Sequence, residues 1–217
     1  MRILGIDPGL ATMGWGVLDA ESGKSSLVEC GAVITPPDMP IQRRLHHIFL
    51  GVKELIVTYQ PEEIVFEELF FAKNITTAMN VSAARGVALC ACADSGLPMY
   101  EYTPMQIKQA VVGTGSADKR QVIYMVRNVL ALDHDPRPDH CADALAAAVC
   151  HANLMRTQAI TRDHAAAQML EQEEAQTRVQ KELAREVTAA ATAAHRTRGT
   201  RDRNAVGHVR QSRRSTS

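Results

Sequence analysis

Ile3-Leu4-Gly5-Ile6-Asp7-Pro8-Gly9 is the stretch around which the rest of the chain organises itself. Its apolar run is short, ends in an acid and is stopped by the Pro-Gly turn signal. That pattern predicts a buried strand with Asp7 at its C-terminal end. Two more such runs follow, Gly14-Trp15-Gly16-Val17-Leu18 and Leu27-Val28-Glu29-Cys30-Gly31-Ala32-Val33-Ile34, separated by Glu-Ser-Gly-Lys turn chemistry at 21–24. Three strands joined by short turns predict an antiparallel meander.

Beyond residue 40 the period changes. Ile41, Leu45, Ile48, Phe49, Val52, Leu55 and Ile56 recur at three- and four-residue spacing, the mark of an amphipathic helix. Ile64-Val65-Phe66-Glu67 is again a short buried strand ending in an acid. Residues 76–93 read as a helix packed with small residues (Ala78, Ser82, Ala83, Ala84, Gly86, Ala88). A strand at Met99–Tyr102 and helices near 104–112, 117–131 and 136–154 complete the pattern, with Pro136 at a first helical position and Asp135 as its cap. Strands in a run, then helix and strand in alternation, predict an α/β fold: a mixed sheet flanked by helices, occupying residues 1–155.

Composition limits what such a chain can be. Its 217 residues suit one domain with an appendage, and 46% of them are apolar, enough to bury a core. No apolar run approaches the ~18–20 residues that span a bilayer, and the N-terminus lacks a signal-peptide pattern. The five cysteines (Cys30, Cys90, Cys92, Cys141, Cys150) show no paired CxxC spacing and read as buried thiols in a reducing cytoplasm. The formal net charge of zero conceals a division. Residues 196–217 hold seven arginines against Asp202, a charge of +6, so residues 1–195 carry −6. Residues 156–217 are Ala-, Glu- and Arg-rich and form an extension. Its first part, to 195, has the propensity but not the apolar stripe of a helix, so a marginal solvated helix is expected. Its last part, 196–217, is expected to be a disordered basic tail, either solubilising or an arm for an anionic partner.

The acids fall where chemistry is done. Asp7 and Glu67 each end a strand, and sites in open α/β sheets form beyond strand C-termini. Asp143 lies early in the last helix, in His140-Cys141-Ala142-Asp143-Ala144-Leu145-Ala146, which is otherwise packed with apolar residues. An acid on that packed face is costly unless it is paired or binds a cation. His140, three residues earlier, projects from the same helix face. Taken singly, Asp7 suits a turn before Pro-Gly and Asp143 suits a helix start facing the dipole. Taken together, three acids and a histidine suggest divalent cations, and two ions ~3.5–4 Å apart clamp an in-line displacement at phosphate.

At these residues the sequence resembles the RuvC family of bacterial Holliday-junction resolvases, within the RNase H-like nuclease superfamily. The resemblance spans residues 2–154. It rests on Gly5-Ile6-Asp7-Pro8-Gly9, Glu67 with Phe70 and Ala72-Lys73-Asn74, Ala84-Arg85-Gly86, Val112-Gly113-Thr114-Gly115-Ser116-Ala117, and Ala142-Asp143-Ala144-Leu145-Ala146. It implies a five-stranded RNase H-like sheet and a homodimeric, Mg²⁺-dependent endodeoxyribonuclease. Such an enzyme serves DNA recombination and repair, nicking two strands of a four-way junction symmetrically and leaving 5′-phosphate ends. Asp7, Glu67 and Asp143 match three of the family's catalytic metal-binding acids. The fourth position falls on His140, where many members have Asp and some have His; Asp139, an i, i+4 neighbour of Asp143, is the competitor. Two Mg²⁺ per site are implied by the resemblance, and because an imidazole suits softer ions than Mg²⁺, Mn²⁺ is expected to substitute with unusually good activity.

The same resemblance places Phe70 against unstacked junction bases, where an aromatic on a loop can stack at ~1–3 kcal/mol per base. Lys108 and Lys119 match its phosphate-contacting lysines, and Lys73 is a weaker candidate. Ser116 is expected to cap a helix beginning near Ala117, and Arg120 and Arg127 are read as a solvated face. Four-way junction DNA, a second copy of the chain contacting it near the 76–93 helix, and a RuvA–RuvB branch-migration complex are the implied partners; the protein is expected in the cytoplasm. Three other readings compete: a nuclease of structured RNA on the same fold, a junction-binding protein without catalysis, and an actin-like ATPase. The last needs a second Asp-Gly-rich phosphate turn, and no such turn follows Gly115.

Overall fold

The computed structural model describes the backbone of residues 1–68 and 75–211, and side chains through 181 apart from 69–77, 174 and 179. Compactness divides the chain into Met1–Ala159 and Ile160–Ser217.

In the first unit, strands β1 (Arg2–Asp7), β2 (Thr12–Glu21) and β3 (Lys24–Ile34) form the meander. The reversal between β2 and β3 falls on Ser22 and Gly23, both with positive φ (48° and 80°), which is the backbone a two-residue hairpin turn demands. Helix α1 (Ile41–Tyr59) then leads to β4 (Glu63–Glu67), α2 (Ile75–Ala93) and β5 (Met99–Tyr102). Among the described residues the sheet has five strands in the order β3-β2-β1-β4-β5. β1 pairs antiparallel with β2 and parallel with β4, and β4 pairs parallel with β5, so the sheet is mixed.

The chain closes with α3 (Pro104–Val112), α4 (Lys119–Val129) and α5 (Asp139–Gln211). Two helix starts differ from the sequence expectation. α4 begins at Lys119 with Asp118 as its cap, not near Ala117 with Ser116: Asp118 accepts from the Gln121 amide, while the Gln121 side chain accepts from the Asp118 amide. This reciprocal capping box satisfies two otherwise unpaired amides, and the Ser116 hydroxyl turns instead to Thr114, 3.0 Å away. α5 begins at Asp139, three residues later than the expected Pro136. Arg137 precedes Pro138 and is sterically disfavoured from helical angles, so the helix cannot start ahead of them.

Because strand side chains alternate, the sheet has two distinct faces. Leu4, Ile6, Met13, Val17, Ile64 and Phe66 pack against α1 and α2. Ile3, Leu18 and Val65 pack on the other side against Ile107 and Val111 of α3, Val122 and Val126 of α4 and Leu145–Cys150 of α5. Asp7 and Glu67 share the parity of Ile3 and Val65, so both belong to the α5 face. On that face a buried His151 bridges Tyr102 (Nδ1 to the hydroxyl, 2.7 Å) and Glu63 (Nε2 to carboxylate, 2.5 Å), tying α5 to β4 and β5. Of the cysteines, Cys92, Cys141 and Cys150 are buried as expected, Cys30 is half-buried, and Cys90 is exposed on the outer side of α2; all are free thiols.

The second unit is helical backbone, the continuation of α5 through Gln211. Its described side chains are exposed, Met169 and Leu170 among them. Among the described residues no helix is long and apolar enough to cross a membrane.

Candidate active site

Asp7 is placed by strand termination: Pro8 and Gly9 end β1, leaving its carboxylate at the strand's C-terminal edge on the α5 face. In the parallel register Ile6 pairs with Phe66, so Glu67 follows on β4 as Asp7 follows on β1. The first two turns of α5 then deliver His140 and Asp143, from far along the chain. His140 Nδ1 lies 2.8 Å from Asp7 Oδ2. Ligand atoms of Asp7, His140 and Asp143 all fall within 4.8 Å of one another. Asp139 is exposed and stands outside that set.

Lys119, which the sequence assigns to phosphate, reaches into this cluster. Its Nζ donates to Asp143 Oδ2 at 2.8 Å. The capping box explains how: Asp118 fixes the first helical residue of α4 where its side chain can span to α5. Burial works against the Lys119 charge, but the hydrogen bond to Asp143 and the nearby carboxylates of Asp143, Asp139 and Asp7 hold its pKa above the ordinary value.

Electrostatics bind Glu67 to the same group. Burial, then repulsion from Asp7 and Asp143, pushes its pKa up to about 7, against the pull of Lys119 and Lys108. Asp7 is raised as well, mainly by burial and by Asp143, with the His140 hydrogen bond acting the other way. Carboxyls that burial, and then their acidic neighbours, keep from ionising suit a site that takes added positive charge. Carboxylate oxygens and one imidazole nitrogen suit a divalent cation.

The structure therefore brings together Asp7, His140, Asp143 and Lys119; Glu67, like Asp139, stands outside the set of ligand atoms within 4.8 Å, and it and the half-buried Lys108 are tied to the cluster only electrostatically. Phe70, Phe71 and Lys73 lie outside the described residues. Arg85, from the Ala84-Arg85-Gly86 motif, pairs with Glu101 of β5 at 2.6 Å. Sequence reasoning does not find the Lys119–Asp143 contact; the one signal for it is the Asp118-x-x-Gln121 spacing that sets the start of α4.

Similarity to known proteins follows this geometry. The profile of the family described as "Crossover junction endodeoxyribonuclease RuvC" matches residues 3–151. The chain belongs to the RuvC family. A RuvC from Chloroflexus aggregans, described by the same words, is 55% identical over 152 residues, which cover 70% of this chain and 93% of that one. Among solved structures, Thermus thermophilus RuvC aligns with a TM-score of 0.68 at 40% identity, covering 73% of this chain and 97% of that one. T. thermophilus RuvC in complex with a Holliday junction substrate aligns with a TM-score of 0.67 at 39% identity, covering 72% and 96%. RuvC is a metal-dependent nuclease family, a crossover junction endodeoxyribonuclease, and the Asp–His–Asp cluster here has the donors to hold an ion. Residues 152–217 lie beyond the family match.

Proposed function

We propose that this chain resolves four-way DNA junctions in recombination and repair, acting as a homodimer in the cytoplasm. Each of two strands is nicked by hydrolysis of one phosphodiester, with 5′-phosphate ends. One observation carries this reading: ligand atoms from a strand end and a helix start, 133 residues apart for the Asp7–His140 pair, meet in a single cluster. Its support is membership of a family in which a 39%-identical relative has been solved with a Holliday junction substrate.

Asp7, Glu67, His140 and Asp143 would hold two Mg²⁺, with Mn²⁺ substituting. When bound, such a pair of ions supplies an activated water and offsets the charge on the attacking and leaving oxygens. The remaining work belongs to the chain. His140 holds Asp7 through a 2.8 Å hydrogen bond. Lys119 and Lys108, on the cluster's border, are assigned to the phosphates flanking the cut, and Lys73 to a phosphate further along. Phe70 is assigned to a junction base freed from its stack.

Paired nicks follow from symmetry, since a two-fold dimer presents two equivalent sites to a junction that is itself near two-fold. The α2 region suits the contact between copies: Gly86 and Cys90 are exposed there, and a Cβ at Gly86 would meet nothing within 4 Å. A RuvA–RuvB branch-migration complex is the proposed upstream partner. Residues 1–155 form the nuclease domain in this reading, and 156–217 an extension whose arginine-rich end adds contacts to the junction's duplex arms.

The test is cleavage of an immobile four-way DNA junction, end-labelled on each strand, by wild type and Glu67→Ala. Reactions contain Mg²⁺, Mn²⁺ or EDTA, with linear duplex and a four-way RNA as controls. Symmetric, metal-dependent nicks that vanish in the variant while junction binding persists support the proposal. Tight binding without nicks under either metal would replace it with a binding role, and preferential cutting of the RNA with a ribonuclease.

A further inference from the structure

The antiparallel register pairs Asp7 with Gly14 and Gly5 with Gly16, so Gly5, Gly14 and Gly16 share the face on which Asp7 stands. That face receives α5. A Cβ added at Gly14 would overlap the carbonyl oxygen of His140 and sit 2.5 Å from its carbonyl carbon and 2.7 Å from its Cβ. A Cβ at Gly5 would overlap the carbonyl oxygen of Ala144, the residue after Asp143. At Gly16 the obstacle differs: a Cβ there meets the side chain of Leu145, at 2.5 Å from Cδ2 and 2.6 Å from Cγ. Two glycines thus abut helix backbone beside a ligand residue, while the third abuts a side chain that can rotate away.

We propose that Gly14 is a positioning residue for the metal-binding cluster. By presenting no side chain directly across the ladder from Asp7, it lets the first turn of α5 rest on β2, and that seating sets the reach of His140 to Asp7. Gly5 does the same, one turn later, for the backbone that carries Asp143. The inference rests on the reading of Asp7, His140 and Asp143 as metal ligands.

Carbon atoms in contact normally stand ~3.5–4.0 Å apart, so Gly14→Ala must lift His140 by about 1 Å. Removing a partner that orients a metal ligand typically weakens metal affinity by about 10–100-fold. The expected effect is a loss of that size in Mn²⁺ affinity, in a protein that still folds and still binds the junction in EDTA. Gly16→Ala should behave differently. It strains Leu145 and lowers the melting temperature, but leaves Mn²⁺ affinity within about threefold of wild type, because side-chain repacking does not shift the first turn of α5.

The experiment is calorimetric titration of Mn²⁺ into the full-length wild type, Gly14→Ala, Gly5→Ala and Gly16→Ala, with melting temperatures and junction binding in EDTA measured alongside. Selective loss of Mn²⁺ affinity in Gly14→Ala, with Gly16→Ala spared, supports positioning, and the same loss in Gly5→Ala extends it to the backbone that carries Asp143. Equal loss in all three, unchanged affinity in Gly14→Ala, or failure of both Gly14→Ala and Gly5→Ala to fold overturns it and leaves a packing role only. Wild type that takes up no Mn²⁺, or uptake that Asp143→Asn leaves unchanged, removes the metal-site reading itself, a result distinct from the others.

Discussion

Replacing Glu67 with glutamine should abolish cleavage yet stabilise the metal-free protein at alkaline pH. The Glu67 carboxyl has its pKa raised from 4.5 to about 7 by burial and by the charges of Asp7 and Asp143. A carboxyl raised on folding binds its proton more tightly in the folded state than in the unfolded one. The stability it contributes is therefore fully present below about pH 4.5 and is lost as pH rises through about 7. Each pKa unit corresponds to ~1.36 kcal/mol, so the shift amounts to about 3 kcal/mol. Residual solvent contact at this half-buried side chain screens the charge, which brings the working expectation to about 1–3 kcal/mol.

Glutamine keeps the shape of the side chain and cannot ionise, so it should escape this loss. The assay is urea unfolding in EDTA at pH 5 and pH 8.5, followed by the fluorescence of Trp15, the single tryptophan of the chain. The informative quantity is the wild-type-minus-variant difference at each pH, because any fixed cost of burying the amide cancels between them. That difference should move by about 1–3 kcal/mol in favour of Glu67→Gln on going from pH 5 to pH 8.5. Saturating Mn²⁺ should shrink it, since a cation offsets the same repulsion. A difference that stays constant with pH would refute the account of Glu67 as a carboxyl whose ionisation is opposed by burial and by its acidic neighbours.

The other predictions concern the metal, the extension and α4. With an imidazole in the donor set, Mn²⁺ should support faster junction cleavage than Mg²⁺ at matched occupancy, and single-turnover rates showing no Mn²⁺ advantage would contradict that role for His140. Deleting residues 196–217, which carry a charge of +6, should flatten the dependence of log junction affinity on log salt by at least about 2, at ~0.9 for each phosphate the segment neutralises. An unchanged slope would leave the segment as a solubilising tail. Asp118→Ala removes the cap of α4 and should cost about 1 kcal/mol of stability in urea unfolding. It should also loosen the Lys119–Asp143 pair, so junction affinity measured in EDTA should fall with it.

Much of this architecture is legible in local sequence because each feature has a local cause. Strand period, the Ser22-Gly23 reversal and the three- and four-residue apolar spacing of α1 depend only on neighbours along the chain, and the meander and mixed sheet follow from them. Helix starts are less legible because capping residues compete. Ser116 and Asp118 are both competent caps, and Gln121 decides between them by completing a box that Ser116 cannot form. Likewise Pro136 is a fair first helical residue until Pro138 is considered for what it does to Arg137.

The site is legible to a different depth. That Asp7 and Glu67 end strands can be read directly, and Asp143 stands out as an acid within an apolar helix. What the sequence cannot supply is the distance between α5 and the sheet, since that depends on residues chosen for what they lack. Gly14 looks like one of several glycines in a strand, where the usual reading is a weakened element. Only the register, which sets it across from Asp7, and the closeness of the His140 backbone give its missing side chain a purpose. Ligands can be picked out by their chemistry. The surface that brings them within 4.8 Å of one another is made of absences, and those become visible only once the two elements are seen in contact.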